Sequence, residues 1–162
     1  MRVAILSDTH IPSRERTLPD WVGTEIEQAD HTIHAGDFDS PDAFDSIEAV
    51  ADSLTAVKGN MDQRLDLPAV ETVDLGGIRF VVMHGTGSLD EYETRVATTV
   101  AAHADGPTVG VCGHTHQLMD TTVDDVRLLN PGSATGASPA SKPSMLVADV
   151  EDGELTVTVR EG

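Results

Sequence analysis

The sequence predicts an α/β protein of two packed mixed β-sheets flanked by helices, and three observations lead there. Short runs rich in Val, Ile and Leu recur along the chain with turn signals between them. The first three runs alternate with helix-like stretches, which gives a βαβαβ order and parallel strands joined by right-handed crossovers. The later runs are mostly antiparallel, two pairs of them joined by short glycine-containing turns. A chain that starts parallel and finishes antiparallel builds mixed sheets, and the crossover helices cover the outer faces.

Arg2–Leu6 is the first of nine expected strands, and Leu18–Ala29 is the first helix, opened by Leu18-Pro19-Asp20 as a helix start should be. His31–Ala35 is the second strand. Pro41, suited to the first helical position, opens a second helix that runs to Val50. Leu54–Val57 follows, then Val70–Leu75 and Ile78–Met83 flank Gly76-Gly77, a two-residue hairpin. A third helix, Leu89–Ala104, precedes the Gly106-Pro107 break and the strand Thr108–Cys112. Val126–Leu129 comes next, and Met145–Val150 and Leu155–Val159 flank a second hairpin at Asp152-Gly153. No repeat, low-complexity tract or linker interrupts the series, and 162 residues bury enough surface for one domain over residues 1–162.

Acidic residues number 28 against 10 basic, a formal charge of −18. Such a chain has no basic face to displace counterions from a nucleic acid, which argues against that partner. Val3–Leu6 is far shorter than the ~20 residues of a membrane span, so neither a span nor a signal peptide is expected. Cys112 is the only cysteine; it excludes an internal disulfide and a Cys-x-x-Cys zinc cage, and a cytoplasmic location is expected. Lysine occurs only at Lys58 and Lys142, and the acids are spread through every segment. This balance resembles that of proteins from salt-loving archaea. Molar salt shortens the Debye length to ~3 Å and removes most of the self-repulsion, so folding is expected to need concentrated salt. A homo-oligomer is compatible with these features.

Five apolar runs end in metal-ligand residue types. Ser7-Asp8-Thr9-His10, His34-Ala35-Gly36-Asp37 and Lys58-Gly59-Asn60-Met61-Asp62 follow the first three strands. In a parallel sheet these ends share the edge where open α/β sheets bind ligands. Met83-His84-Gly85 and Gly113-His114-Thr115-His116 follow two later strands. Residues two apart on an extended segment point the same way, so Asp8 with His10, and His114 with His116, can each reach one small volume. Carboxylate, imidazole and amide oxygen without thiolate suit Mn²⁺, Fe²⁺, Ni²⁺ or Zn²⁺. Asp8, His10, Asp37, Asn60, His84, His114 and His116 are too many ligands for one ion with open positions. They suit two ions ~3.5–4 Å apart sharing one carboxylate, an arrangement that clamps the attacking and leaving oxygens of a displacement at phosphorus.

In this order, Asp8-x-His10, Gly36-Asp37, Gly59-Asn60-x-Asp62, His84-Gly85 and Gly113-His114-x-His116 resemble the motifs of the calcineurin-like metallophosphoesterase family. Ser7 to Pro12 and Asn130-Pro131-Gly132-Ser133 are similar to its small archaeal and bacterial phosphodiesterase branch. The resemblance implies a four-layer α/β/β/α fold and hydrolysis of a small phosphodiester, with monoesters as a further class. It implies that Asp8, His10 and His116 hold one divalent ion, that Asn60, His84 and His114 hold a second, and that Asp37 bridges them, with Mn²⁺ the leading candidate. Catalysis is then assigned to Asp37, Asn60 and His84 around a bridging hydroxide that attacks phosphorus. The family also contains a retromer subunit, so the alternative is a metal-binding scaffold for protein partners.

Two positions depart from the family pattern. Many relatives carry a histidine after the Gly-Asn pair, taken to protonate the leaving oxygen; here Met61 stands there, and a thioether donates no proton. The acid expected four residues after Asp37 is replaced by Pro41, and Asp39 comes two residues after it instead. Asp62 is expected to brace Asn60 or a ligand histidine. Arg14 and Arg16, in the polar segment after the first ligand strand, are candidates to orient a phosphate, and His34 is a candidate for a supporting position. His31, His103 and Cys112 are read as structural, and Asn130-Pro131-Gly132-Ser133 as a turn.

Overall fold

The computed structural model describes residues 1–162. The chain runs β1 (Arg2–Leu6), α1 (Asp20–Glu27), β2 (His31–His34), α2 (Pro41–Val50), β3 (Leu54–Ala56), β4 (Val70–Leu75), β5 (Ile78–Met83), α3 (Tyr92–Ala102), β6 (Thr108–Val111), β7 (Leu118–Val123), β8 (Val126–Pro131), β9 (Ser144–Glu151) and β10 (Glu154–Glu161). One sheet has the order β10-β9-β1-β2-β3 and the other β4-β5-β6-β8-β7. Both are mixed: β1, β2 and β3 run parallel, as do β5, β6 and β8, while the hairpin strands run antiparallel. This is the fold class the sequence predicts.

The layers follow from the two-residue period of a strand. Val3 and Ile5 of β1 join Ile33 and, from the other sheet, Phe80, Val82, Val109 and Leu129, so one core lies between the sheets. Ala4 and Leu6 point the opposite way, against Val22 and Ile26 of α1 and Ile47 of α2. Val81 and Met83 of β5 likewise turn from Phe80 and Val82 to meet Val96 and Val100 of α3. Strands buried on both faces read as continuous apolar runs, which is why β1 and β5 stand out in the sequence. Fully burying each such side chain contributes about 1.5–3 kcal/mol, and Ile5→Ala is expected to cost about 2–5 kcal/mol through the cavity it leaves.

Helix α2 begins as expected: Pro41 occupies the first turn and the Ser40 hydroxyl accepts the Ala43 N–H at 3.1 Å. The other two helices are shorter than the pattern suggests. α1 starts at Asp20 and ends at Glu27, and α3 starts at Tyr92 because Glu91 takes a left-handed φ of 57° that no helix continues through. A tenth strand, β7, was not expected. Leu118–Val123 lies at the edge of its sheet with half of its residues exposed, and it turns into β8 through Asp124-Asp125, both at positive φ.

Because β1–β3 are parallel to one another, and so are β5, β6 and β8, the carboxyl ends of both sets open on one edge of the molecule. Two hydrogen bonds stitch the sheets together there: the Ser7 hydroxyl to the Gly132 carbonyl at 2.9 Å, and the Ala134 N–H to the Ser7 carbonyl at 3.1 Å.

Candidate metal centre

Asp8 and Asp37 divide their oxygens in the same way. In Asp8, Oδ2 accepts the Ser7 hydroxyl at 2.9 Å and the His114 N–H at 3.0 Å. Its Oδ1 has no hydrogen-bond partner and lies 3.3 Å from His116 Nε2, 3.6 Å from His10 Nε2 and 3.8 Å from His84 Nε2. In Asp37, Oδ1 accepts the Met61 N–H at 2.8 Å, while Oδ2 faces His84 Nε2 at 3.1 Å and His10 Nε2 at 3.5 Å. His84 Nε2 is close to Asp37 without being lined up as a hydrogen bond, and it is left unpartnered.

The imidazoles are oriented from behind. His10 Nδ1 is 2.9 Å from Asp39 Oδ1, His84 Nδ1 is 2.7 Å from the Ala35 carbonyl, and His116 Nδ1 is 2.8 Å from the Ala137 carbonyl. An oxygen acceptor holds the proton on Nδ1 and leaves the Nε2 lone pair directed inward. Three Nε2 atoms and two carboxylate oxygens thus face one another, with His10 and His116 Nε2 only 3.1 Å apart. This buried set fits divalent cations. Asp8, His10 and His116 could hold one, and Asp8, Asp37 and His84 another.

The electrostatics express the same crowding. Burial works to raise the Asp8 carboxyl, but the close approach of the His10 and His116 rings and the charge of His84 hold it well below the usual carboxylate range. Asp37 is lowered likewise, burial being outweighed by its contact with His84 and the Met61 N–H. Burial works against the charged rings of His84 and His116, yet the neighbouring carboxylates raise both. Metal-free, the centre favours carboxylates with imidazolium; cations would replace those protons.

Asn60 and His114 stand at its periphery. Asn60 is exposed, directly after Gly59, whose Cα packs so tightly on the Asp37 carboxylate that no side chain fits there. The His114 ring lies edge-on to His84, centroids 5.2 Å apart, with Nε2 3.0 Å from the Gly87 carbonyl. Asp62 braces backbone rather than Asn60 or a histidine: its carboxylate accepts the N–H groups of Asp37, Gly59 and Asp39 at 2.8–2.9 Å, and burial raises its pKa. Arg14 donates to the Ser138 carbonyl at 2.8 Å, and Arg16 lies in the wall of a separate cavity. His34 is stacked on Phe38 with its Nδ1 accepting the Gly36 N–H and its Nε2 on the Thr9 hydroxyl; burial pushes it down to about 3. His31 bonds to Thr55, His103 caps the exposed end of α3, and burial pushes the Cys112 thiol up to about 12.

Three supports carry no role in the sequence reading. Asp39, two residues after Asp37, is the partner of His10. Asn130, read there as part of a turn, holds the ligand loop by donating to the Gly113 carbonyl and the Thr115 hydroxyl, both at 3.0 Å. Arg95 of α3 donates to the carbonyls of Gly85, Thr86 and Ser88 and shapes the loop that meets His114. The Asn-Pro-Gly-Ser string signalled the second; nothing in sequence spacing signals the third.

Comparison with known proteins accords with this geometry. A probable metallophosphoesterase of Methanothermobacter thermautotrophicus is 33% identical over 98% of this chain and 91% of its own length. Vps29 of Entamoeba histolytica, solved with Zn²⁺, superposes with a TM-score of 0.79 at 25% identity, covering 100% of this chain and 98% of that one. An archaeal phosphodiesterase shares the fold with a TM-score of 0.69 at 22% identity, covering 99% and 100%. The model of the calcineurin-like phosphoesterase superfamily domain matches residues 1–153, and the chain belongs to that family.

Proposed function

We propose that the chain is a two-metal phosphodiesterase, with Asp8, His10, Asp37, Asn60, His84, His114 and His116 holding the ions and Mn²⁺ foremost among them. The observation that carries the reading is the set of inward atoms, Asp8 Oδ1 and His84 Nε2 above all, buried without partners while every second atom of those side chains is tied down. When bound, two divalent ions supply an acidified water for attack on phosphorus and positive charge for the phosphoryl oxygens. Asp39 and the Ala35 and Ala137 carbonyls hold the rings, and Asp62 holds the loops of Asp37 and Gly59 rigid beneath them.

The leaving oxygen finds no side-chain acid. Met61 is 41% exposed at the position of the family histidine, and His34 is buried with both ring nitrogens engaged. A positioned general acid is worth on the order of 10²–10⁴-fold, and its absence weighs most on strongly basic leaving groups. Aryl phosphodiesters with graded leaving groups, run with Mn²⁺ after chelation, are expected to show rates falling steeply as leaving-group pKa rises. A flat series would mean that another acid serves the leaving oxygen, and no turnover of any ester would remove the catalytic reading.

The likeness to Vps29, closer in overall fold than the likeness to the phosphodiesterase, favours a second reading, in which the same centre serves a metal-binding scaffold for a protein partner. Metal binding without turnover across that series is its signature.

A further inference from the structure

Outside the metal centre the molecule holds a cavity of about 740 Å³ between α1, α2 and the loops that leave β1 and β3. Its volume is that of sites for drug-sized organic ligands. Leu18, Ile26, Ile47 and Val50 make an apolar floor, and Arg16, Arg64 and Asp42 stand around it.

Charge and position together describe what fits. In a chain with 28 acids, Arg2, Arg79, Arg127 and Arg160 each lie beside a carboxylate, whereas Arg16 and Arg64 pair with none. Two free guanidiniums against the single Asp42 make this cavity locally positive on a protein of charge −18. Its wall also continues the backbone of the metal centre. Ile11 follows His10, Ser40 follows Asp39, and the Ser40 hydroxyl donates to the Ile11 carbonyl at 2.9 Å. Arg64 stands two residues beyond Asp62.

We propose that this cavity binds the organic side of the phosphoester substrate: a flat apolar group, aryl or nucleobase-like, that carries its own anionic substituent. The apolar face rests on Leu18, Ile47 and Val50 while Arg16 and Arg64 take the anion. Identification of the ligand with the substrate rests on the phosphodiesterase reading; the binding itself does not, and needs no metal.

Chelator-treated full-length protein titrated with 2-naphthyl phosphate, and separately with 2-naphthol and inorganic phosphate, tests this by calorimetry and amide NMR. Naphthyl phosphate is expected to shift the amides of residues 11–18 and of α2, and to bind at least tenfold more tightly than either half. Arg64→Ala loses one charge-assisted contact and is expected to weaken binding about tenfold. Val50→Glu, at a position 41% exposed, sets an acid against the ligand's apolar face and is expected to do the same without loss of melting temperature. Equal affinity for inorganic phosphate, shifts confined to the metal centre, or an unchanged Arg64→Ala variant would each overturn the proposal. Cavity binding without turnover of any ester supports this site while removing the catalytic reading; turnover without cavity binding removes this site alone.

Discussion

The two edges of the paired sheets turn the chain by different means. Where β4 meets β5 and β9 meets β10, positive φ falls on Gly76, Gly77, Asp152 and Gly153, the residues that two-residue hairpins favour, and the two turns are joined by Gly153 N–H to the Gly76 carbonyl at 2.8 Å. At the other edge Asp8, His10, Asp37, Asp39, His114 and His116 all take positive φ, from 48° to 82°. A left-handed conformation costs a residue with a side chain about 1–2 kcal/mol, which glycine would avoid. Reversing direction is the whole task of the first edge. The second must also aim carboxylates and imidazoles into one buried volume, and its strained Asp37, Asp39 and His114 are held by N–H bonds to the Asp62 and Asp8 carboxylates, with Asn130 donating to the adjacent Gly113 carbonyl.

If the second edge is built for metal, its acids matter to function more than to folding. Asp37→Asn removes a charge that faces His10 and His84, and is expected to lower metal content and the phosphodiesterase rate by at least roughly 100-fold. His103→Ala, at the exposed end of α3, should leave both unchanged; equal losses in the two variants would misplace the site. The converse holds at the hairpin edge. A Cβ at Gly76 would come within 2.7 Å of Val150 at a φ of 58°, so Gly76→Val is expected to cost about 2–4 kcal/mol in denaturant unfolding while the folded fraction keeps its metal affinity.

Below the ligand edge, His34 links the comparison to pH. Its folded-state pKa of about 3 lies under the ordinary imidazole value of 6.5, so the unfolded chain binds the extra proton first as pH falls. Stability from this group is complete above 6.5 and is lost progressively toward 3, with a slope of about 1.4 kcal/mol per pH unit in that window. His34→Asn keeps an acceptor for the Gly36 N–H and should flatten the slope of unfolding free energy between pH 6 and 4; an unchanged slope would show that His34 is not buried neutral. Salt bears on the whole chain, whose folding is expected to need it in concentrated form. With 28 acids against 10 bases, the melting temperature is expected to rise from ~0.1 M KCl, where the Debye length is ~10 Å, to molar KCl; a salt-independent melt would return the acidity to solubility alone.

What could be read from the sequence divides along the same line. Strands buried on both faces, such as β1 and β5, announce themselves as unbroken apolar runs, and Gly76-Gly77 and Asp152-Gly153 name their turns. β7 did not, because an edge strand half in solvent carries Met119, Asp120 and Thr121 in no apolar pattern and turns on Asp124-Asp125 instead of a glycine pair. At the centre, the residues that follow apolar strands were legible. The atoms that orient them were not, since Ala35 and Ala137 act through backbone carbonyls that any residue carries, and Arg95 reaches its loop only once α3 is folded against β5.

The central claim is that the unpartnered carboxylate and imidazole atoms at the ligand edge await cations. Chelated protein titrated with Mn²⁺ in a calorimeter, with phosphodiester turnover followed on the same samples, tests it most directly. Two ions bound per chain, proton release as the His84 and His116 rings give up theirs, and turnover that rises with occupancy are the expected results. Full turnover in metal-free protein, or no binding at all, would contradict it.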